Sequence, residues 1–382
     1  MRRQRGFTLV ELTITSAMTF ITVLAVSAAF IGYTRSFYTQ AGIRAGQASL
    51  RQTHLMVVRN LRMAGYGVEP PLAFGFPKDW SRESTTAYNR SDRLVFRMRD
   101  PSFNAFSTKA EPTSITLSAG LSMPLRRGQI VQVVCPGAIN WTYAQLSADV
   151  AKGDLVLPLL TGTTVFPRLN EFTPSCFGAA AGSLGVNVFK IDVYDYSIHA
   201  IDDDGDPATP TRPYLFRRHG LDEKDPDAYG EPVAEDIEAM RVSFVRENGT
   251  SFIPNPADPA PEYGTALGHE LRLNNNPANI RAVVIGLVAR SSTRDAEAPN
   301  NSDRIPSFGR KLDGTPEPEL TVDPISGKPQ PKGFRRIVSE LSIQVRNMKS
   351  SEMPVPIFTL DTTTPNACQG VLPGDNFNCA GG

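Results

Sequence analysis

The chain has 382 residues, of which 41% are hydrophobic and 20% are charged, so it is long enough to fold around one large core or two smaller ones. Its formal net charge is zero, but residues 1–68 hold eight arginines and one acidic residue, whereas the other 314 residues carry 31 basic and 38 acidic side chains. An acidic body argues against broad nucleic-acid binding by the globular part.

The N-terminus combines a basic start with a long apolar segment. Three arginines precede Gly6, and no charged residue occurs from Leu12 to Thr34. A cleaved signal peptide would explain this pattern, since the small residues 26–29 (VSAA) suit a cleavage site. A permanent membrane anchor would also explain it, because about 20 apolar residues span a bilayer and flanking arginines keep the N-terminus in the cytoplasm. Neither interpretation explains the lone carboxylate of Glu11 at the start of the apolar segment.

The stretch RGFTLVEL, residues 5–12, resembles the class III signal of type IV prepilins and pseudopilins. The resemblance implies a leader, residues 1–6, that a prepilin peptidase removes on the cytoplasmic side between Gly6 and Phe7. It implies that the same enzyme methylates the new amino terminus at Phe7, and that the apolar segment stays on the mature protein. It also assigns Glu11 to assembly, as the group that compensates the terminal amine of a neighbouring subunit. A carboxylate in a hydrocarbon-like setting is costly unless it is paired, and a new cationic amine is a suitable partner.

Beyond the apolar segment, the pattern predicts that one helix continues to about residue 64. No proline occurs before Pro70, and apolar residues recur at intervals of seven, seven and four, which predicts one packing stripe: Ile43, Leu50, Val57 and Leu61. A neighbouring face carries arginines, either as a solvated surface or as a contact for acidic neighbours: Arg44, Arg51 and Arg62, with Arg59 further round. A continuous helix over 7–64 would be roughly 87 Å long, so its distal half must pack on its own head and its proximal half on other helices.

Glycines predict where this helix weakens and where it ends. Gly42 and Gly46 lower the helical propensity locally. They mark either a place where the helix bends or melts on assembly, or a place where small residues pack against the head. The sequence MAGYG, residues 63–67, and the prolines that follow it predict the C-terminal stop.

From residue 69 to residue 382, short alternating apolar runs are broken by glycine, proline and aspartate, which predicts a β-rich extracytoplasmic head. The predicted strands cover 93–98, 114–118, 129–134, 187–199, 214–218, 240–245, 280–291 and 335–347. The sequence VAEDIEAMRVSF, residues 233–244, predicts a short helical turn that leads into a strand. Long polar stretches predict loops over 200–213, 222–232, 246–279 and 292–334. The expected fold class is therefore α+β, with a long N-terminal α-helix followed by a large β-rich head.

Three further segments resemble the PilW-type minor pilins: LRMAGYG (61–67), VAEDIEAMRVSF (233–244) and FRRIVSELSIQVRN (334–347). The resemblance implies a filament subunit and not an enzyme: a minor pilin that is stored as a single-pass protein in the inner membrane, primes a type IV pilus and sits at its tip. Its implied partners are the prepilin peptidase, other minor pilins, the major pilin and a tip adhesin. A minor pseudopilin of a type II secretion system is the alternative in the same structural class. An extracytoplasmic enzyme or adhesin with a cleaved signal peptide is the alternative in another class.

The four cysteines form no C-x-x-C motif, and the histidines do not fall at zinc-finger spacings around them: Cys135, Cys176, Cys368 and Cys379. Behind a membrane-directed N-terminus, an even number of cysteines predicts two disulfides in an oxidising compartment, with free buried thiols as the alternative. Three connectivities are open, and sequence proximity favours Cys368–Cys379 with Cys135–Cys176. The resemblance adds to this preference, because many pilins close and expose a C-terminal loop with a disulfide.

Motifs for catalysis and cofactor binding do not occur in a proper context, so no catalytic residue, cofactor or metal site is predicted. His269 and Glu270 form an isolated pair in a predicted loop, where a surface histidine is the expected role. The sequence DDDGD, residues 202–206, offers carboxylates for calcium, but it fails the EF-hand spacing and a solvated turn is favoured.

Overall fold

The computed structural model describes residues 8–68, 73–75, 91–134, 141–160, 185–203, 205, 211–219, 230–246, 249, 251–252, 280–295, 298, 302–309, 316–324 and 328–348. Over these residues the chain forms one long helix, α1 (Leu9–Leu61), and then a β-rich head that contains two antiparallel sheets. The expected α+β class, with a long N-terminal helix followed by a β-rich head, is confirmed.

Helix α1 runs for 53 residues, which corresponds to a length of about 80 Å. Thr8 caps its N-terminus, and Phe7, the predicted first residue, lies outside the described residues. The helix ends at Leu61, a little before the predicted end, and the chain then turns through residues 62–68. Two glycines of this turn have left-handed backbone angles, Gly65 (φ 77°) and Gly67 (φ 65°). Glycine enters this region at little cost, so the MAGYG sequence ends the helix for the predicted reason.

The first sheet has nine strands: β1 (Phe74–Gly75), β2 (Leu94–Glu111), β3 (Ser114–Leu117), β4 (Ile130–Val134), β5 (Trp141–Gln145), β6 (Val156–Pro158), β7 (Val186–Ile201), β8 (Arg212–His219) and β9 (Glu231–Glu235). Its main path runs β5-β4-β7-β2-β3-β6; β1 pairs with β2, β8 pairs with β7, and β9 pairs with β8. The long strands β2 and β7 pair with each other along most of their length and form the axis of the sheet. A register shift in β2 between Arg99 and Asn104 contains Pro101, which a regular ladder would not accommodate.

The second sheet has four strands: β10 (Ile237–Arg246), β11 (Ser251–Phe252), β12 (Ile280–Arg290) and β13 (Arg336–Gln344). Their order is β11-β10-β12-β13, and a 3-10 turn, Arg346–Met348, follows β13. The C-terminal half of α1 contacts β9, β12 and β13, so it lies across the junction of the two sheets. The main hydrophobic core joins α1 to both sheets and includes Leu50, Val57, Leu61, Phe96, Tyr196, Phe244 and Leu287.

The predicted helical turn within residues 233–244 is wrong. These residues form the end of β9 and all but the last residues of β10, and the single residue between the two strands, Asp236, has a φ of 60°. Arg212 donates hydrogen bonds to both carboxylate oxygens of Asp236, at 3.0 Å and 2.5 Å. Aspartate tolerates the left-handed region better than most residues, and here the arginine holds it there. This ion pair fixes the corner at which the chain passes from the first sheet to the second.

Other differences concern short or polar strands. The strands β1, β5, β6, β9 and β11 were not predicted; each has two to five residues, too few to display a clear alternation. Strand β2 continues to Glu111, beyond the predicted end at residue 98, because its second half pairs with β7 and β3. This half is largely polar, so it shows no apolar pattern from which a strand could be predicted. Residues 231–232 and 251–252, which were predicted to be loop, also belong to strands.

Candidate functional site

The N-terminal half of α1 stands clear of the head. Within the described part of the chain, no residue from Thr8 to Ala41 is buried. Its large apolar side chains are each at least half exposed: Leu9, Val10, Leu12, Ile14, Met18, Phe20, Ile21, Val23, Leu24, Val26, Phe30, Ile31, Tyr33, Phe37 and Tyr38. The helix is long and apolar enough to cross a membrane. Because so much contiguous apolar surface is unfavourable in water, this half of α1 requires lipid or other apolar helices around it.

Six hydroxyl groups of this exposed half of α1 form hydrogen bonds within the helix itself. Each donates to a backbone carbonyl three or four residues earlier, at 2.7–2.9 Å: Thr13, Thr15, Ser16, Thr19, Thr22 and Thr34. Such bonds remove the cost of carrying an unpaired donor into an apolar environment. The threonines that dilute the apolar character of the segment are therefore compatible with a membrane.

Glu11 closes a capping box at the start of α1. Its Oε2 atom accepts hydrogen bonds from the backbone N–H and the hydroxyl of Thr8, at 3.0 Å and 2.9 Å. In return the Glu11 N–H donates to the Thr8 hydroxyl at 3.2 Å. In a single chain the carboxylate thus caps its own helix, where the helix dipole also favours a negative charge. The role of Thr8 was not predicted, although the T-x-x-E spacing is a known signal for this cap.

The C-terminal half of α1 packs on the head through small residues. Gly42 and Gly46 are both buried in the contact. A Cβ at Gly46 would lie 3.6 Å from the backbone oxygen of Arg290 and 3.6 Å from Cδ1 of Ile337. Ser49 donates to the backbone carbonyl of Glu235 at 2.6 Å. The small residues allow the helix to approach the ends of β12 and β13 closely, which accounts for the two glycines within a continuous helix.

The four stripe residues predicted from the sequence differ in their burial. Leu50, Val57 and Leu61 lie in the main core and are 5%, 2% and 0% exposed. Ile43 is only half-buried, two turns before Leu50, where the core begins. On the same half of the helix, Asn60 Nδ2 donates to the Tyr196 hydroxyl at 2.7 Å, and burial raises the pKa of Tyr196 to about 12. The phenol therefore stays neutral at ordinary pH and preserves this polar contact between helix and sheet.

We expect Gly46→Leu to lower the free energy of unfolding of the full chain in detergent by about 1–3 kcal/mol, because an overpacked contact pushes α1 away from the head. Gly46→Ala should be neutral or stabilise by up to about 1 kcal/mol, because alanine favours a helix and its Cβ would meet its neighbours at ordinary contact distances. Gly32→Leu is the control, since a Cβ at Gly32 meets no atom within 4 Å. Circular dichroism during urea unfolding measures all three variants. An equal loss of unfolding free energy in Gly46→Leu and Gly32→Leu would contradict the packing role of Gly46.

The arginines predicted on a neighbouring face of the helix are exposed: Arg44, Arg51, Arg59 and Arg62. At the end of this face, Asn347 Nδ2 donates to the backbone carbonyl of Arg62 at 3.1 Å, which ties the helix terminus to the 3-10 turn. The guanidinium groups themselves are accessible to solvent and to acidic neighbours.

Several predicted site residues lie outside the described residues: Gly6, Phe7, Cys135, Cys176, Cys368, Cys379 and His269. Processing at Gly6, methylation at Phe7 and the two disulfides therefore stay predictions.

The acidic DDDGD sequence is partly described. Asp202 Oδ1 accepts a hydrogen bond from the Gly205 N–H at 2.9 Å, and Asp203 Oδ2 accepts one from the Tyr214 hydroxyl at 2.9 Å. The first bond closes a turn, and the second joins this turn to the adjacent strand β8. Among the described residues, no group of three or more His, Cys, Asp or Glu side chains is placed to hold a metal ion.

The sequence matches no protein-family model and no curated protein. Among solved structures, the chain is similar to a type IV-like pilin from Thermus thermophilus, with 12% sequence identity and a TM-score of 0.29. The alignment covers 80% of this chain and 97% of that chain. This similarity is too distant to assign a family.

Proposed function

We propose that this protein is a minor pilin. The N-terminal half of α1 holds it in the inner membrane, and the same segment then enters the priming complex at the tip of a type IV pilus. The observation that carries the proposal is the exposed apolar segment from Leu9 to Thr34, which carries the helix-capping carboxylate of Glu11 in its first turn and ends five residues before Thr39 contacts the head. The sequence RGFTLVEL at its start supports the same conclusion.

The exposed apolar segment of α1 suits two environments in succession. In a bilayer its apolar side chains contact lipid, and in a filament the same side chains contact the equivalent helices of other subunits. The continuity of α1 through residues 26–29 supports its retention on the mature protein, because cleavage there would remove about the first two fifths of the helix. An extracytoplasmic enzyme with a cleaved signal would have no use for the rest of this stem.

Mass spectrometry of the mature N-terminus tests the proposal directly. We expect a chain that begins at Phe7 and carries one methyl group on its terminal amine. A mature chain that begins near Ala29 or Phe30 would instead identify a cleaved signal peptide. A chain that retains residues 1–6 in cells with an active prepilin peptidase would also contradict the proposal.

We expect Glu11→Gln to leave processing intact but to reduce incorporation into pili at least about tenfold. Glutamine keeps the capping box with Thr8, because Gln as well as Glu serves at this position. It removes the carboxylate charge that would pair with the amine of a neighbouring subunit. That amine is then left as an unpaired charge in an apolar bundle, which costs several kcal/mol. Glu11→Asp is the matched control, since it shortens the side chain but keeps the charge. Quantitative immunoblots of sheared pili measure incorporation. Equal incorporation of Glu11→Gln and the unchanged protein would limit Glu11 to helix capping.

Head size favours a position at the tip of the fibre. A compact head of 314 residues has a radius of gyration of about 20 Å, against about 13 Å for a head of 100 residues. Repeating subunits spaced for small heads would clash with such a head, whereas no subunit lies above it at the end of the fibre. We therefore expect immunogold labelling of the head at fibre ends only. Regular labelling along the shaft, or an abundance near that of the main pilin, would contradict the tip position.

A further inference from the structure

The C-terminal half of α1 presents a row of arginines on the side that faces away from the head. At about 100° per residue, Arg44, Arg51 and Arg62 lie within about 20° of one another around the helix axis, over a length of about 27 Å. All three side chains are exposed. The residues that α1 buries centre on the opposite side of the helix: Gly42, Gly46, Ser49, Leu50, Thr53, Val57 and Leu61. The described part of the head therefore leaves this row uncovered.

Two apolar residues lie between the arginines on the same face. Leu55 is 68% exposed in the middle of the row, and Ala48 is exposed one turn before Arg51. We call these five residues the arginine stripe: Arg44, Ala48, Arg51, Leu55 and Arg62. Successive members are separated by four, three, four and seven positions, which is the spacing at which two helices pack side by side. An apolar centre with charged flanks is typical of a surface that binds another helix.

The stem cannot neutralise this stripe by itself. Among the described residues, no carboxylate forms an ion pair with Arg44, Arg51 or Arg62. Glu11 is the one acidic residue in residues 1–68, and it lies about 50 Å along the helix from Arg44. A second copy of this stem, in the parallel orientation that a membrane or a filament imposes, would place arginine against arginine. Like charges in facing positions are unfavourable, so an identical stem is a poor neighbour.

Lipid headgroups lie too far from the stripe to compensate it. The uncharged run ends at Thr34, and Arg44, Arg51 and Arg62 follow it by about 15 Å, 26 Å and 42 Å along the helix. Charges in water are largely screened beyond about 8 Å at physiological ionic strength. The stripe therefore requires a protein neighbour at its own height if it is to lose its contact with water.

We propose that the arginine stripe binds the stem helix of a different subunit, one that carries aspartate or glutamate at the matching spacing around an apolar residue. The inference rests on the proposed function, because assembly of a filament is what brings stems side by side. It makes the direct neighbour on this face another kind of subunit. Two copies of this protein would not pack against each other there, which agrees with a few copies at the tip.

A charge-reversed copy of the full chain serves as the acidic probe: Arg44→Glu/Arg51→Glu/Arg62→Glu. In a parallel pair it sets three glutamates against the three arginines of the unchanged chain. Analytical ultracentrifugation of fluorescently labelled full chains in detergent measures the pairing. We expect the unchanged chain to bind this copy about tenfold more tightly than it binds itself, as for three exposed ion pairs together. This preference should disappear in about 1 M salt.

The matched control copy carries the same change of charge on exposed residues of the head: Arg126→Glu/Arg127→Glu/Lys152→Glu. It should bind the unchanged chain no more tightly than the unchanged chain binds itself. Equal binding of the charge-reversed copy and the control copy would overturn the proposal, because net charge would then explain the pairing. Self-association of the unchanged chain as tight as its binding to the charge-reversed copy would make a second copy the occupant and would also overturn it.

A DNA duplex of about 20 base pairs tests the other acidic ligand. The unchanged chain should not bind it more tightly than the neutral variant Arg44→Gln/Arg51→Gln/Arg62→Gln does. Tight binding of the duplex that the neutral variant loses would assign the stripe to nucleic acid and overturn the proposal.

In cells, the charge-reversed chain as the only copy should be processed normally but enter sheared pili at least about tenfold less than the unchanged chain. Normal incorporation of this chain would overturn the proposal. The mass of the mature N-terminus tests the pilin proposal separately, and the pairing in detergent requires no pilus. A failure of the stripe is therefore distinguished from a failure of the proposed function.

Discussion

A chain that carries Gly6→Leu as the only copy of the protein is expected to keep its leader and to be excluded from pili. The prepilin peptidase of the proposed pathway requires a residue without a side chain at the scissile bond, and leucine blocks access to it. The uncut chain retains six residues and three arginines ahead of Phe7, so no terminal amine forms near the capping box of Glu11. The unprocessed protein should accumulate in the inner membrane with residues 1–6 still attached.

Intact-mass measurement of the membrane fraction and of sheared pili checks this prediction. Gly6→Ala is the graded control, since its single methyl group should be partly tolerated and give a mixture of cut and uncut chains. Normal pili that contain the uncut Gly6→Leu protein would contradict the assignment of residues 1–6 as a leader.

We expect Glu238→Ala to lower the free energy of unfolding by about 3–5 kcal/mol. Glu238 is 1% exposed on β10, and it accepts hydrogen bonds from Nε and Nη2 of Arg336 on β13, at 2.6 Å and 2.9 Å. This bidentate pair passes over β12, which lies between the two strands. Arg336 also donates to the Ser302 carbonyl and, at 3.1 Å, to Gln330 Oε1. Removal of the glutamate leaves a buried cation without its counter-charge.

Glu319→Ala is the matched control for Glu238→Ala. Glu319 pairs with Arg304 at 3.3 Å on the surface, where the two side chains are 46% and 53% exposed, so its loss should cost less than about 1 kcal/mol. The double variant Glu238→Leu/Arg336→Met should recover much of the lost stability, because it removes both charges together. Urea unfolding of the full chain in detergent measures each change. A similar cost for Glu238→Ala and Glu319→Ala would show that the buried pair contributes no more than a surface pair.

The outcome for the strands shows why some elements were predictable and others were not. Strands β7, β10, β12 and β13 are nine or more residues long and carry apolar residues along their whole length, and each was predicted close to its observed position. The sequence around Asp236 looks helical, but its partner Arg212 lies 24 residues earlier and local propensity contains no information about it. The short strands depend on pairing with a neighbour that already exists, so they have no pattern of their own.

The stem shows the same division. Four of its features are local properties of the sequence: its length, its apolar run, the isolated Glu11 and the glycines that end it. They were predictable because hydropathy, helix propensity and capping act over a few residues. Only the folded chain determines that burial of the helix begins at Gly42, since a side chain at that position would meet Ser291, nearly 250 positions away. The same holds for the hydrogen bond from Thr39 to Asp295, which joins residues 256 positions apart. Contacts of that separation arise only when the two sheets fold and dock on the helix, and a sequence pattern cannot encode them locally.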